Sequence, residues 1–318
     1  MRADWFTFFV TAVRLAAAMV ALLLPAVAGA YESRWHQQLT FIAAKQFNRC
    51  AEQTDITPLT PLQVRYIAKA NVSEVDSNFL RKLTRWNFYD RDGQSERSLA
   101  WVIDTRLHER FNDLVRTLDE DRPEPERYAQ LGRVVSYLQD MTSPAHVVPV
   151  YFARWWRLSL SDRFNGYRPD GDALERAVTG VCDRVFDNGD PSLAQVLVDT
   201  AEGTLQAVRG PIEGLPATWE AFWTLDDAAD AWGEYGPAGN RFGQRTEFRF
   251  GGERCLLLDD DPLYRGFAEA RHEAAIIATL HAMRWLQLRI GGIDEVHDLA
   301  TPEGDLPPSS GLRGVPPS

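Results

Sequence analysis

Asp140 and His146 are the residues of this chain best placed to hold a cation, because the sequence around them ends one helix and starts another. Leu131, Val134, Val135, Leu138 and Met141 recur at helical spacing, which puts Ser136 and Asp140 together, one turn apart, on a different face. Ser143 reads as an N-cap and Pro144 as the first helical residue, so His146 falls in the first turn of the next helix. A carboxylate closing one helix and an imidazole opening the next can point at a single ion, and both groups are ordinary ligands for zinc.

The elements that must carry these groups are almost all helices. Leu39, Ile42, Ala43 and Phe47 form one apolar stripe; Ile103, Leu107, Phe111, Leu114, Val115 and Leu118 form a longer one; Leu193, Val196, Leu197, Thr200 and Leu205 form a third. The last strong helix is expected from about Pro262 to Ile290, with Phe267, Ala274, Ile277, Leu280, Met283 and Leu286 on its apolar side. Only Thr246 to Phe250 alternates as a strand would. Turn residues such as Asp121-Arg122-Pro123 and Asn188-Gly189-Asp190-Pro191 separate the stripes. The expected fold class is all-α, a single multi-helix bundle with its active groups between helices.

The start of the chain has the layout of an export signal. Arg2 and Arg14 flank a leader, Leu15 to Leu24 is an unbroken apolar run, and Ala28-Gly29-Ala30 has the small residues of a cleavage site. The run is shorter than the roughly 20 apolar residues needed to span a bilayer. Residues 1–30 are therefore expected to be removed, leaving a domain over 31–290 that starts at Tyr31, has no transmembrane helix, and works in the periplasm or outside the cell. Residues 291–318 gather prolines, lose apolar periodicity and are expected to be disordered. The formal charge of −11 gives no electrostatic steering toward nucleic acid. Cys50, Cys182 and Cys255 are too few for a disulfide framework, and spacing does not choose among the three possible pairings.

The stretch from Gly132 to His146 resembles the segment Gly-x-x-x-His-x-x-x-Asp-x-x-x-Pro-x-His of the zinc-dependent phospholipases C and their relatives, the single-strand-specific zinc nucleases, with Ser136 at the first histidine. In that superfamily three zinc ions hydrolyse a phosphodiester, and the mature N-terminal residue is a ligand through its amine and carbonyl oxygen. Tyr31 precedes His36 by five positions, the interval found in the nucleases. The chain then offers Asn71-Val72-Ser73-Glu74-Val75-Asp76, where Asp76 is the better carboxylate candidate and Glu74 the reserve, and Trp86-Asn87-Phe88-Tyr89-Asp90, which matches a His-Phe-Tyr-Asp setting except that Asn87 replaces the histidine. A final His-x-x-x-Glu pair is matched by Ser161 and Asn165. The resemblance covers Tyr31 to Tyr167.

Carried over position by position, the resemblance implies metal ligands at Tyr31, His36, Asp76, Asp140 and His146, and replacements at Asn87, Ser136, Ser161 and Asn165. The site built from Tyr31, His36 and Asp140 is complete, a second keeps Asp76 and Asp140, and a third keeps only His146. The implied cofactor is zinc, one ion rather than three; amide, hydroxyl and carboxylate oxygens at the second site suit a harder divalent cation. Asp140 is expected to hold the ion and Asp76 to act as general base or bridging ligand. The implied function is a metal-dependent phosphodiester hydrolase with a reduced metal centre, taking phospholipid head groups in preference to nucleic acid. The rival reading is a catalytically inactive relative acting as a binding or structural protein. No protein partner is indicated.

Other polar residues read as structural. Asp104 and His108 lie four apart on the expected Ile103–Leu107 helix, as an intrahelical pair would. His272, Glu273 and His281 do not converge from spacing alone. No Gly-x-Ser-x-Gly elbow, Walker loop or dinucleotide fingerprint is present. Trp155-Trp156 and the aromatic residues Trp219, Phe222, Trp223, Trp232, Tyr235, Phe242, Phe248 and Phe250 read as core by default, with a lipid- or sugar-binding wall as the alternative.

Overall fold

The apolar stripes fold as helices in the computed structural model, which describes residues 33–76, 88–89, 98–99, 103–104, 107–118, 120, 122–148, 150, 162–168, 170–186, 189–225 and 233–300, without the side chains of 98–99, 103–104 and 291–300. The expected export signal, Tyr31, Asn87, Ser161, Trp155-Trp156, Trp232 and the end of the tail lie outside the described residues.

The chain is mainly helical. Helix α1 (Ser33–Ala51) buries Leu39, Ile42, Ala43 and Phe47, the stripe read from the sequence, and adds His36 and Thr40 to the same buried side. Helix α2 (Pro61–Asp76) follows. Two residue pairs, β1 (Ser98–Leu99) and β2 (Ile103–Asp104), then make a short antiparallel ladder before helix α3 (Leu107–Leu118). Here the sequence expectation is corrected: Ile103 and Asp104 belong to a strand, and the helix begins at Leu107. Asp104 and His108 therefore do not share a helix.

Helix α4 (Glu124–Asp140) starts after Pro123 with Glu124 and Glu126 in its first turn, where acidic side chains favour the helix dipole. It lies close along α2, because Gly132 has no side chain: a Cβ there would overlap the carbonyl oxygen of Ile67 and meet the Ala70 Cβ. A short helix α5 (Pro144–Val147) turns off its end, with Ser143 at the N-cap and Pro144 first, as the sequence indicates. Helices α6 (Gly171–Ala177), α7 (Cys182–Phe186) and α8 (Leu193–Arg209) come next, α8 capped by the Ser192 side chain accepting from Gln195 N–H. The Cys50–Cys182 disulfide joins the end of α1 to the start of α7, and Cys255 is free and buried.

Strands β3 (Trp223–Leu225) and β4 (Gly233–Tyr235) pair antiparallel, as do β5 (Thr246–Phe250) and β6 (Glu253–Leu257), with Phe248 opposite Cys255. Thr246–Phe250 was legible as a strand; its partner and the other two ladders were not, because each is too short to show alternation. Helix α9 (Pro262–Ala300) runs ten residues past the domain end expected at Ile290. Its apolar positions 267, 280, 283 and 286 are buried as expected, and so are Ala275, Ile276, Ala278 and Ala282. A helix buried on so much of its circumference is the axis of the core. No helix among the described residues is long and apolar enough to cross a membrane.

Five aromatic residues of the segment after α8 are core, and Tyr235 and Phe250 are partly buried against it. Trp219, Phe222, Trp223, Phe242 and Phe248 are buried and pack ring against ring with Phe164, Tyr264 and Phe267 at centroid separations of 4.4–6.1 Å. That excludes these five rings from forming an exposed binding wall.

Candidate metal centre

Three helices, α1, α2 and α4, bring buried polar side chains to one place. His36 lies in the second turn of α1, on the stripe His36, Thr40, Ala43, Phe47 that faces the core. Asp140 is the last residue of α4, and His36 Nε2 stands 3.4 Å from Asp140 Oδ1. On its other side the imidazole meets an amide: His36 Nδ1 is 2.7 Å from Gln139 Oε1. Asn71 of α2 donates from Nδ2 to the same Gln139 oxygen at 2.9 Å. His36, Asn71 and Gln139 are wholly buried, and Asp140 is 5 % exposed.

The His36–Asp140 gap can be tested against an ion. A good N–H···O hydrogen bond has its heavy atoms about 2.9–3.0 Å apart. Imidazole nitrogen and carboxylate oxygen each bound about 2.0–2.1 Å from a tetrahedral zinc stand roughly 3.3 Å apart. The observed 3.4 Å fits two ligands sharing one ion, and the oxygen behind Nδ1 is the second-layer support that metal-binding histidines ordinarily have. His36 and Asp140 would hold the ion. Among the described residues no three His, Cys, Asp or Glu side chains gather as a metal-binding group, and the third expected ligand, Tyr31, lies outside them.

The remaining expected residues have surroundings of their own. Asp76 is exposed at the C-terminal end of α2. Glu74, its reserve, is held by Arg110 Nη2 at 3.3 Å and by the Tyr137 hydroxyl at 3.1 Å. Burial, and then the charge of Glu74, push the Tyr137 hydroxyl well above the ordinary tyrosine range. His146 is buried, edge-on to Phe88 at 5.4 Å. Ser136 is buried, and its hydroxyl donates to the Arg133 carbonyl at 2.7 Å within its own helix. Asn165, in the 3-10 turn Phe164–Gly166, accepts from the Ser143 hydroxyl at 2.6 Å. Ser143 thus caps no backbone N–H of α5.

Several groups near the centre were missed from sequence. Gln139 follows Leu138 on an apolar helix, and nothing in its spacing marks it. Thr40 and Thr279 did carry a signal, since each interrupts a buried stripe with a hydroxyl. His272, which reads as structural from the sequence, is buried beside Trp35, with ring centroids 5.2 Å apart, and stacks on Phe164 at 5.6 Å. Burial lowers its pKa to about 4 against the opposing effect of the Ala268 carbonyl, which accepts from Nδ1 at 2.5 Å. Asp162 is also buried; burial raises its pKa, and hydrogen bonds from the Trp223 indole N–H at 2.9 Å, the Tyr235 hydroxyl at 2.8 Å and the Phe164 amide at 2.8 Å oppose the rise.

No protein-family model, characterised protein or solved structure matches the chain.

Proposed function

We propose that this protein is an exported, metal-dependent phosphodiester hydrolase of the phospholipase C and zinc nuclease type, with an all-helical catalytic bundle and a reduced metal centre. One observation carries the reading: two buried side chains of different helices, His36 and Asp140, face each other at a separation suited to a shared zinc ion. The Cys50–Cys182 disulfide supports export, since such bonds persist in oxidising compartments. Phospholipid head groups are the proposed substrate class, because the acidic chain offers no net attraction to nucleic acid.

His36 and Asp140 would hold a divalent ion, which would supply Lewis-acid polarisation of a phosphoryl oxygen and activation of a water nucleophile. The chain's own contribution is to hold the ligands rigidly. Asp140 supplies an anionic oxygen at a helix end, His36 a nitrogen oriented from behind by Gln139, and the exposed Asp76 carboxylate is free of the core to accept a proton.

A second reading, a catalytically silent relative that keeps one ion for structure or binding, is favoured by a specific observation. Ser136, Asn165 and Glu74, which stand at or beside the other expected ion positions, are engaged by Arg133, Ser143, and Arg110 with Tyr137. Polar groups satisfied by each other present little to further ions.

Elemental analysis of protein purified without chelator, paired with a phosphodiester and phosphatidylcholine hydrolysis assay after restoring zinc, manganese, magnesium or calcium, separates the two. One ion per chain with slow turnover is the expected result. One ion without turnover under any metal establishes the silent form. His36→Ala and Asp140→Asn should each abolish metal uptake, and undiminished metal in both variants removes the proposed centre.

A further inference from the structure

Gln139 bears on which ring nitrogen of His36 carries the proton, because the hydrogen bonds around it favour one placement of protons. Thr40 and Thr279 are each a hydroxyl inside a helix, donating to the carbonyl four residues back: Thr40 to His36 at 2.8 Å, Thr279 to Ala275 at 2.8 Å. Gln139 Nε2 lies 3.2 Å from the Thr40 oxygen and 3.1 Å from that of Thr279, so its two hydrogens meet two acceptors. Asn71 Nδ2 spends its two hydrogens on Thr40, at 2.9 Å, and on Gln139 Oε1, at 2.9 Å. Gln139 Oε1 then has one lone pair left, and His36 Nδ1 is the atom in front of it at 2.7 Å.

Reversing the amides does not rescue any other arrangement. With Gln139 alone turned over, its NH2 would face the NH2 of Asn71. With Asn71 alone turned over, two amide oxygens would face each other. With both reversed, the single hydroxyl hydrogen of Thr40 would confront three acceptors: Gln139, Asn71 and the His36 carbonyl. All five side chains are wholly buried, so solvent cannot relieve the amide clashes of the reversed arrangements; the arrangement described leaves only Asn71 Oδ1 of the two amides without a hydrogen bond.

We infer that Gln139 is the positioning residue of this centre, its amide oxygen fixing the His36 proton on Nδ1 so that Nε2 presents a lone pair to the space shared with Asp140. The inference rests on the reading of His36 and Asp140 as cation ligands for its purpose, though its geometry is independent of that reading. A histidine free to choose would put its proton on Nε2 and donate it to the Asp140 carboxylate, closing the space an ion would use. Gln139 is what prevents this.

The test is long-range proton–nitrogen NMR of the metal-free full chain with labelled histidine at alkaline pH. Wild-type protein should show His36 with its proton on Nδ1. Gln139→Met, similar in length but without an acceptor oxygen, should move the proton to Nε2 and weaken zinc binding about 10–100-fold in competition with a chromophoric chelator. Gln139→Glu keeps an oxygen for His36 and Asn71, and the two threonine hydroxyls can turn to donate to it; it should retain the Nδ1 proton. A wild-type ring protonated on Nε2, or an Nδ1 proton and zinc affinity unchanged in Gln139→Met, overturns the inference. If Gln139→Met does not fold, the wild-type and Gln139→Glu spectra decide. Protonation as inferred with no zinc bound by any form would support the role of Gln139 while ending the hydrolase reading.

Discussion

Two interiors of this molecule bury carboxylates in opposite ways. Asp162 lies in the aromatic block among Phe164, Trp223 and Tyr235, and three donors converge on it. Asp140, at the junction of α1, α2, α4 and α9, faces an imidazole at 3.4 Å whose own proton is directed away toward Gln139. A buried carboxylate saturated with donors is a structural pin, since each donor stabilises its charge. Two acceptor atoms brought face to face are stable only with a positive species between them, whether a proton or a metal ion. Burial alone does not distinguish the two; the group that each carboxylate faces does.

The largest effect should come from breaking the saturated region. Trp223 is 1 % exposed, packs between Phe222, Phe242 and Phe267, and donates to Asp162. Trp223→Ala removes a large buried ring and a donor together, and should cost about 3–5 kcal/mol by urea denaturation. Protein that remains folded should keep its full metal content. Loss of metal from folded Trp223→Ala protein would mean that the two regions are one unit.

His272 stands between the two regions, against Trp35 of α1 and Phe164 of the aromatic block, and it predicts a pH dependence. Its folded pKa of about 4 lies below the ordinary value of 6.5, so the unfolded chain takes up the proton first. The stability associated with a neutral His272 is complete above pH about 6.5, and is lost progressively as pH falls from there to about 4, by on the order of 3 kcal/mol. Asp162, whose pKa is raised by burial, acts in the opposite sense: where its proton is retained in the folded state and not in the unfolded one, acidification favours folding. Denaturation midpoints of wild type and His272→Leu across that range isolate the histidine. Parallel curves for the two proteins would show that His272 carries no part of the acid sensitivity.

What the sequence made legible follows from how far each signal reaches. Helical stripes in α1, α3, α8 and α9 are visible because a single period repeats over many residues, and Ser143-Pro144 marks the start of α5 because a proline at the first helical position has a local cause. The pairing of His36 with Asp140 was implied by a resemblance, and the two residues stand together although 104 positions separate them. Gln139 was invisible for a physical reason: a buried amide has no period and no motif, and its value depends on hydroxyls from α1 and α9 and an amide from α2 arriving at one point. The strand misread as helix, Ile103–Asp104, shows the converse limit, since apolar residues flanking a helix extend its apparent stripe.

The smallest predicted effect tests how finely the hub is determined. Thr279→Val keeps the shape of the side chain and deletes the hydroxyl that accepts from Gln139 Nε2. One amide hydrogen is left in an apolar setting, which should cost about 1–2 kcal/mol. The orientation of Gln139 should survive, because Thr40 still accepts from the other hydrogen and Asn71 still donates to the oxygen. His36 should therefore keep its proton on Nδ1, and zinc affinity should stay within about threefold of wild type, well short of the second-layer losses expected for Gln139→Met. If Thr279→Val moves the proton as completely as Gln139→Met does, the amide is held by Thr279 and not by Thr40, and α9 becomes the element that sets the ligand geometry between α1 and α4.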